Sequence, residues 1–215
     1  MTLKNFLDNV DTVMATPVRR DERSSERLPL KLELRPVVDL QDDQFYEFCR
    51  INRDVRIERN AEGELLIMSP TGGETGARNA EVTMQLGVWA KRDGRGVVFD
   101  SSTGFLLPNR AVRSPDAAWI SHSRLPALTE RRRFIALCPD FVLELRSPTD
   151  DLGILQAKLC EYLENGASLG WLIDPDVRRV YVYRPETPVE CIENAVELSG
   201  DPELPGFVLD LREIW

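Results

Sequence analysis

A carboxylate placed inside an apolar strand is the most informative feature of this sequence. Glu144 lies within the run Phe141–Leu145, in which every other residue is apolar. Such a run predicts a strand that is covered on both faces, so Glu144 should be buried. A buried carboxylate is costly unless it is paired, protonated or bound to a metal ion. Glu144 is therefore either a metal ligand or a buried acid paired with Arg146 or Arg113.

A second carboxylate precedes another short apolar strand. Asp116 follows Pro115 and leads into the strand predicted over Ala117–Ile120. Two strand-borne acids that meet at one end of a sheet could hold a hard divalent cation, which prefers carboxylate, water and phosphate oxygens. Aspartate after proline is also common in Asx turns, so a purely structural role for Asp116 stays open.

Two basic residues follow the buried glutamate. Arg146 comes two positions later, on the same strand face, and could neutralise phosphate charge without exchanging a proton. Lys158 lies about two turns into a helix predicted over 150–166, which has Asp near its start and Gly at its end. There it could orient or deprotonate an attacking water. The alternative is an exposed lysine that pairs with an acid of the same helix, Glu161 or Glu164.

These residues resemble the signature of the PD-(D/E)XK nuclease superfamily, which would here be Pro115-Asp116 followed by Glu144-Leu145-Arg146. Within that superfamily the chain resembles the Uma-two family of endonucleases, from about Asp42 to the C-terminus. The resemblance is carried by an ordered set of short motifs: Met68-Ser69-Pro70-Thr71-Gly72-Gly73, Ser114-Pro115-Asp116, Glu144-Leu145-Arg146-Ser147-Pro148-Thr149-Asp150, Gly166-Ala167, Trp171-Leu172-Ile173-Asp174-Pro175 and Tyr183. Arg146 stands where the superfamily usually has lysine. In this family the lysine comes from the next helix, which makes Lys158 the matching position.

The resemblance implies an α/β fold of the α+β kind, with a restriction endonuclease-like core. In that core a mixed central sheet is flanked by helices and accompanied by extra hairpin strands. The implied activity is metal-dependent phosphodiester hydrolysis, most simply by a DNA endonuclease. Asp116 and Glu144 would hold Mg²⁺ or Mn²⁺, Lys158 would act on the attacking water, and Arg146 would stabilise phosphate charge. By analogy, the protein should act as a homodimer.

Two further residues remain candidates with bland alternatives. Glu81 lies in the helix predicted over 77–92, where several nucleases of the superfamily place an accessory acid and candidate third metal ligand. It could equally lie on a solvated helix face. His122, the only histidine, follows the Asp116 strand on a polar loop; it could be a general base or an ordinary surface residue.

Composition limits the class of protein. The 215 residues suffice for one domain, predicted over 38–215, after an N-terminal arm at 1–37 that is polar enough to be flexible. No apolar run approaches the roughly 20 residues of a membrane span, and the start lacks a signal-peptide core, so we expect a cytoplasmic protein. The four cysteines are widely scattered and predict neither a zinc site nor a disulfide framework.

The net charge of -9 argues against a protein that coats nucleic acid, because phosphate binding draws on clustered lysine and arginine. A nuclease needs only a local basic lining, and Arg131–Arg133, Lys91, Arg92 and Arg78 could supply one or could form solvated faces. Two rival functions therefore stay open. The first is a catalytically silent nucleic-acid-binding or regulatory protein that keeps the nuclease fold. The second is a metal-assisted hydrolase of a smaller phosphoester, without a basic groove wide enough for duplex DNA.

Overall fold

A computed structural model describes residues 29–125 and 133–215 of the chain. Within these ranges the structure is a mixed α/β fold of three helices and thirteen strands. In chain order the elements are β1 (Leu30–Leu32), α1 (Asp42–Ile51), β2 (Arg56–Arg59), β3 (Leu65–Met68), α2 (Gly73–Asp93), β4 (Gly96–Asp100), β5 (Phe105–Leu106), β6 (Val112–Arg113), β7 (Ala117–Ser121), β8 (Phe141–Leu145), α3 (Leu152–Glu164), β9 (Leu169–Asp174), β10 (Arg179–Tyr183), β11 (Glu190–Glu193), β12 (Glu197–Ser199) and β13 (Val208–Asp210). No described helix is long and apolar enough to cross a membrane.

The strands form two principal sheets and one small hairpin. The central sheet has six strands in the order β11-β10-β9-β8-β7-β4, and the N-terminal sheet has five in the order β1-β3-β2-β6-β5. In the central sheet β8 and β9 are parallel while the other neighbours are antiparallel, so the sheet is mixed as predicted. Strands β12 and β13 pair separately.

The central sheet is covered on both faces, which explains the continuous apolar run of β8. On one face Phe141 and Leu143 belong to a core cluster with Leu86 of α2. On the other face Val142 shares a cluster with Leu159 of α3. Side chains alternate along a strand, so Glu144 continues the face of Val142 and points towards α3. The sheet therefore delivers one carboxylate into an otherwise apolar layer.

Close approach of α3 to the sheet depends on a glycine. A Cβ added at Gly170 of β9 would lie 2.7 Å from the Leu159 side chain, so a larger residue would force this buried leucine to shift. At the end of α2, Gly94 adopts φ 71° as the helix cap, a left-handed conformation that favours glycine. Gly170 therefore favours close packing of α3 on the sheet, and Gly94 ends α2.

Three elements differ from the sequence predictions, one of them the unpredicted two-residue strand β6. Helix α2 begins at Gly73 rather than near residue 77, because the glycine-rich segment forms its first turn instead of an open loop. Strand β1 was not predicted; it pairs with β3 and lies on the N-terminal side of the proposed domain start at residue 38. Its leucines alternate with charged residues, a period-two pattern that is typical of a strand with one apolar face. Residues 1–28 of the proposed arm lie outside the described residues.

Candidate active site

The strand register brings the two predicted carboxylates together. In the β7/β8 ladder Ala117 is the partner of Leu143, and continuing this antiparallel register by one residue places Asp116 opposite Glu144. Residues directly opposite on neighbouring strands have Cβ atoms about 4.5 to 5.5 Å apart. The two acids therefore lie close enough to act on one ligand, as the sequence predicted.

Asp116 is held by a contact between strands. Its Oδ2 accepts a hydrogen bond from the Leu145 backbone N–H at 2.9 Å, and its Oδ1 accepts one from Asn79 Nδ2 of α2 at 3.3 Å. A partner 29 residues away is not the local backbone group that an Asx turn would use. Burial raises the pKa of Asp116, although the guanidinium of Arg56 at 3.7 Å opposes that effect.

Glu144 contacts neither of the arginines that the structural alternative named. Its Oε1 lies 2.8 Å from Lys158 Nζ and accepts a hydrogen bond from the Tyr162 hydroxyl at 3.0 Å. Burial raises the pKa of Glu144 to about 7; Lys158 opposes this shift, while the neighbouring carboxylates of Asp116 and Glu58 add to it. A carboxyl group whose pKa is raised in a cleft is typical of functional sites.

Lys158 is shared between two carboxylates from different parts of the fold. Its Nζ lies 2.8 Å from Glu144 and donates to Glu58 Oε1 at 3.0 Å, so it pairs with neither of the helix acids considered above. Burial alone would lower the pKa of Lys158, but the charges of Glu144 and Glu58 outweigh it and raise the pKa. Lys158 is thus a buried, fixed ammonium, which favours orientation and charge stabilisation over proton abstraction.

Glu58 is the principal site residue that sequence reasoning missed. It lies on β2 with only 2% of its side chain exposed, and it accepts hydrogen bonds from Lys158, from Arg113 at 3.3 Å and from the Ser114 N–H at 3.0 Å. Burial would raise the pKa of Glu58, but Lys158, Arg113, Arg56 and this N–H together lower it to about 2. The available signal was an acid in a short strand, and nothing in its spacing indicated a partner 100 residues away.

The structure does not bring Arg146 to these carboxylates. Its Nη1 lies 2.7 Å from Asp174 Oδ2, and its Nε donates to the Asp150 backbone carbonyl at 3.2 Å. Asp174 is buried at the end of β9, so Arg146 neutralises an acid of the protein itself. Arg146 also does not line the cleft described below.

Two other candidates, Glu81 and His122, lie away from the site. Glu81 accepts a hydrogen bond at 2.9 Å from Gln85, which also donates to the backbone carbonyl of Asp210, so Glu81 faces β13. On α2 it is Asn79 that reaches Asp116. His122 follows β7 at the end opposite Asp116, roughly 20 Å away at 3.3 Å per residue.

Among the basic residues proposed from sequence as a lining, the four that the structure describes do not line the site. Lys91 and Arg92 occupy the last turn of α2, roughly 27 Å from its start at the usual rise per residue. Arg78 pairs with Glu74 at 2.8 Å, and Arg133 pairs with Asp43 of α1. The remaining two, Arg131 and Arg132, lie outside the described residues.

A cleft of about 840 Å³ opens onto Asp116, Glu144 and Lys158. It lies between β2 and β3 of the N-terminal sheet on one side and the loops that precede α2 and α3 on the other. Eight acidic residues line it, against four basic ones, Lys31, Arg56, Arg113 and Lys158. An acidic cleft attracts cations and repels a polyanion, so phosphate binding here requires added positive charge.

The donor atoms of the cleft fit a divalent cation such as Mg²⁺. The described residues contain no group of three or more His, Cys, Asp or Glu side chains that could hold a metal ion. Magnesium, however, is usually held by one or two carboxylates and completed by water and substrate oxygens, which matches Asp116 and Glu144. Oδ1 of Asn79, whose amide contacts Asp116, is buried without a hydrogen-bond partner and is a further oxygen donor beside them.

Comparison with known proteins agrees with this geometry. The chain is similar to a crystal structure described as "a putative nuclease belonging to DUF820 from Anabaena variabilis ATCC 29413", with a TM-score of 0.60 and 25% identity over 69% of this chain and 82% of that one. A search of curated proteins found no match. The model of the Uma2 family, described as "Putative restriction endonuclease", matches residues 42–212. The chain therefore belongs to the Uma2 family, and its fold is the nuclease fold of that family.

Proposed function

We propose that the protein is a metal-dependent phosphodiester hydrolase that acts on nucleic acid, with DNA as its substrate. The observation that carries the proposal is the placement of Asp116 opposite Glu144 in one cleft, with the ammonium of Lys158 beside Glu144. Membership of a restriction endonuclease family and a nuclease as structural neighbour support hydrolysis of phosphodiester bonds.

The side chains divide the work of hydrolysis. Asp116 and Glu144 would hold Mg²⁺ or Mn²⁺, which when bound would polarise the phosphodiester and neutralise its charge. The Tyr162 hydroxyl fixes Glu144 through a hydrogen bond at 3.0 Å, and Asn79 fixes Asp116. Lys158 would donate to the oxygens that gain negative charge as the reaction proceeds.

The proposed reaction conserves atoms without a further reactant. The oxygen of a water molecule forms a bond to phosphorus, and one phosphorus–oxygen ester bond breaks. The water releases a proton to solvent, and the leaving oxygen takes one up. Lys158 keeps its proton throughout, because two carboxylates stabilise its charged form.

The acidic lining favours a second candidate, a hydrolase of a smaller phosphoester. A cavity of about 840 Å³ lies in the usual size range of small-molecule sites. An excess of acidic residues also weakens the binding of a long polyanion more than the binding of a single phosphate. A duplex nuclease would cut both strands most simply as a homodimer, so we propose a dimer for the first candidate only. Light scattering of the purified protein checks that state.

A cleavage assay separates the candidates. Purified protein with Mn²⁺ should nick supercoiled plasmid, and Glu144→Ala should lower the rate at least 1000-fold because one of two proposed metal ligands is lost. Glu81→Ala is the matched control, since this acid faces β13, and it should retain activity. Hydrolysis of bis(p-nitrophenyl) phosphate without plasmid nicking would favour the smaller substrate. If Glu144→Ala kept the activities of wild type on both substrates, both candidate functions would be contradicted.

A further inference from the structure

Arg56 is a cation at the cleft that sequence reasoning did not single out. It lies on β2 and lines the cleft, with 31% of its side chain exposed. Its guanidinium stands between Glu58 and Asp116, 3.7 Å from a carboxylate oxygen of each. Arg56 is thus a partly exposed arginine of the cleft that lies beside one of the proposed metal ligands.

Most hydrogen-bonding capacity of Arg56 is unused. A guanidinium carries five N–H donors, and the hydrogen bond that Arg56 makes within the described residues goes to the Ser114 backbone carbonyl. Its carboxylate contacts of 3.7 Å are too long to be hydrogen bonds, and its Nε is buried without an acceptor. A buried donor without an acceptor destabilises the structure that contains it. The described fold therefore leaves this guanidinium with donors for which it supplies no acceptor.

The other basic residues of the cleft are already committed. Arg113 donates to Glu161 at 2.6 Å and to Glu58 at 3.3 Å, with 10% of its side chain exposed. Lys158 lies between two carboxylates, and Lys31 is held by Glu64 at 2.7 Å. Among the described residues that line the cleft, Arg56 combines exposure, fixed charge and unused donors.

We propose that Arg56 binds a phosphate group of the substrate directly, in the role that the sequence assigned to Arg146; this rests on the proposed function. The planar fork of arginine matches two phosphate oxygens at once. A phosphate bound there would lie beside Asp116. The positive charge of Arg56 would offset part of the repulsion between the phosphate and the acidic cleft. The phosphate also provides acceptors towards which the guanidinium can turn.

The test measures binding apart from cleavage. A fluorescein-labelled single-stranded DNA 12-mer is titrated with the full chain in Ca²⁺, and its anisotropy is followed at several salt concentrations. Arg56→Gln should weaken binding roughly tenfold, the size of a lost charge-assisted hydrogen bond. It should also reduce the slope of log affinity against log salt by about 0.7, the value for one phosphate contact on a single strand. Arg56→Lys should keep the slope, because the charge remains, and lose several-fold in affinity, because the fork is gone.

A matched variant controls for charge. Arg179→Gln removes the same charge from an exposed arginine on β10 that pairs with Glu193, and it should change neither affinity nor slope. An unchanged slope in Arg56→Gln, or no binding by the wild type, would overturn the proposal. If wild type nicks plasmid and Arg56→Gln shows the same salt dependence of DNA affinity as wild type, only the Arg56 proposal fails. If the slope falls but wild type hydrolyses nothing, the phosphate site stands and the proposed hydrolase fails.

Discussion

Two buried glutamates, Glu58 and Glu144, share one lysine, yet their surroundings shift their pKa values in opposite directions. Glu58 is surrounded by Lys158, Arg113, Arg56 and a backbone N–H, and its pKa is lowered to about 2. Glu144 is in contact with Lys158 and stands close to two other acids, and its pKa is raised to about 7. The cations around Glu58 therefore outweigh the cost of burying its charge, whereas Lys158 only partly offsets that cost at Glu144. The difference makes Glu58 an anchor of the fold, and it supports our proposal that Glu144 is a ligand of the metal ion.

The comparison also shows how the fold assembles the site. Glu58 and Arg56 come from the N-terminal sheet, while Asp116 and Glu144 come from the central sheet. Lys158 bridges the two sheets through its contacts with Glu58 at 3.0 Å and Glu144 at 2.8 Å. Because the anchor fixes the lysine, the N-terminal sheet determines where the ammonium stands at the candidate metal site.

The largest stability effect should come from the anchor. Glu58→Gln keeps the shape but leaves three cations without the carboxylate they surround. We expect the free energy of unfolding at pH 7 to fall by about 3 kcal/mol, from the difference between a pKa near 2 and the ordinary 4.5. Urea unfolding measures it. Glu193→Gln, which breaks an exposed pair with Arg179, is the control and should leave the free energy of unfolding almost unchanged.

The effect of Glu58 should depend on pH with a definite sign. Since its folded-state pKa lies below the unfolded value of 4.5, its stabilisation is complete above that value and is lost as the pH falls towards 2. The difference in unfolding free energy between wild type and Glu58→Gln should therefore shrink in this window. A difference that stays constant down to pH 2 would show that Glu58 acts through shape rather than charge.

Substitution of Glu144 should have a smaller effect on the free energy of unfolding, and of opposite sign. Glu144→Gln removes one of three crowded carboxylates, so in EDTA at pH 8 the variant should be at least as stable as wild type. Thermal unfolding checks this. A variant that melts well below wild type would make Glu144 a structural partner of Lys158 and would remove the contrast with Glu58.

The sequence predicted the parts of the site that follow from local pattern. The apolar run around Glu144, the Asp116 strand and the helix of Lys158 are each visible in a short window, and the fold places all three at one cleft. The family resemblance and the mixed sheet with flanking helices were confirmed. These features depend on periodicity, which a single sequence reveals.

What the sequence did not reveal depends on contacts between distant segments. Glu58 meets Lys158 across 100 positions, and no spacing rule connects them. Arg146 lies two residues after Glu144, but the buried acid Asp174 at the end of the neighbouring strand binds it. The alternation of side chains along a strand predicted only the side of the strand from which Arg146 projects. The tertiary structure shows that the acid it contacts is Asp174.

The central claim is that Asp116 and Glu144 hold one divalent cation, and calorimetric titration with Mn²⁺ tests it most directly. Wild type should bind one ion, and Asp116→Asn and Glu144→Gln should each weaken binding at least tenfold, because one of two charged ligands is lost. Glu81→Gln, on the same helix as Asn79 but turned towards β13, should bind as wild type does. Absence of Mn²⁺ binding by folded wild type, or equal binding by wild type and both site variants, would contradict the account.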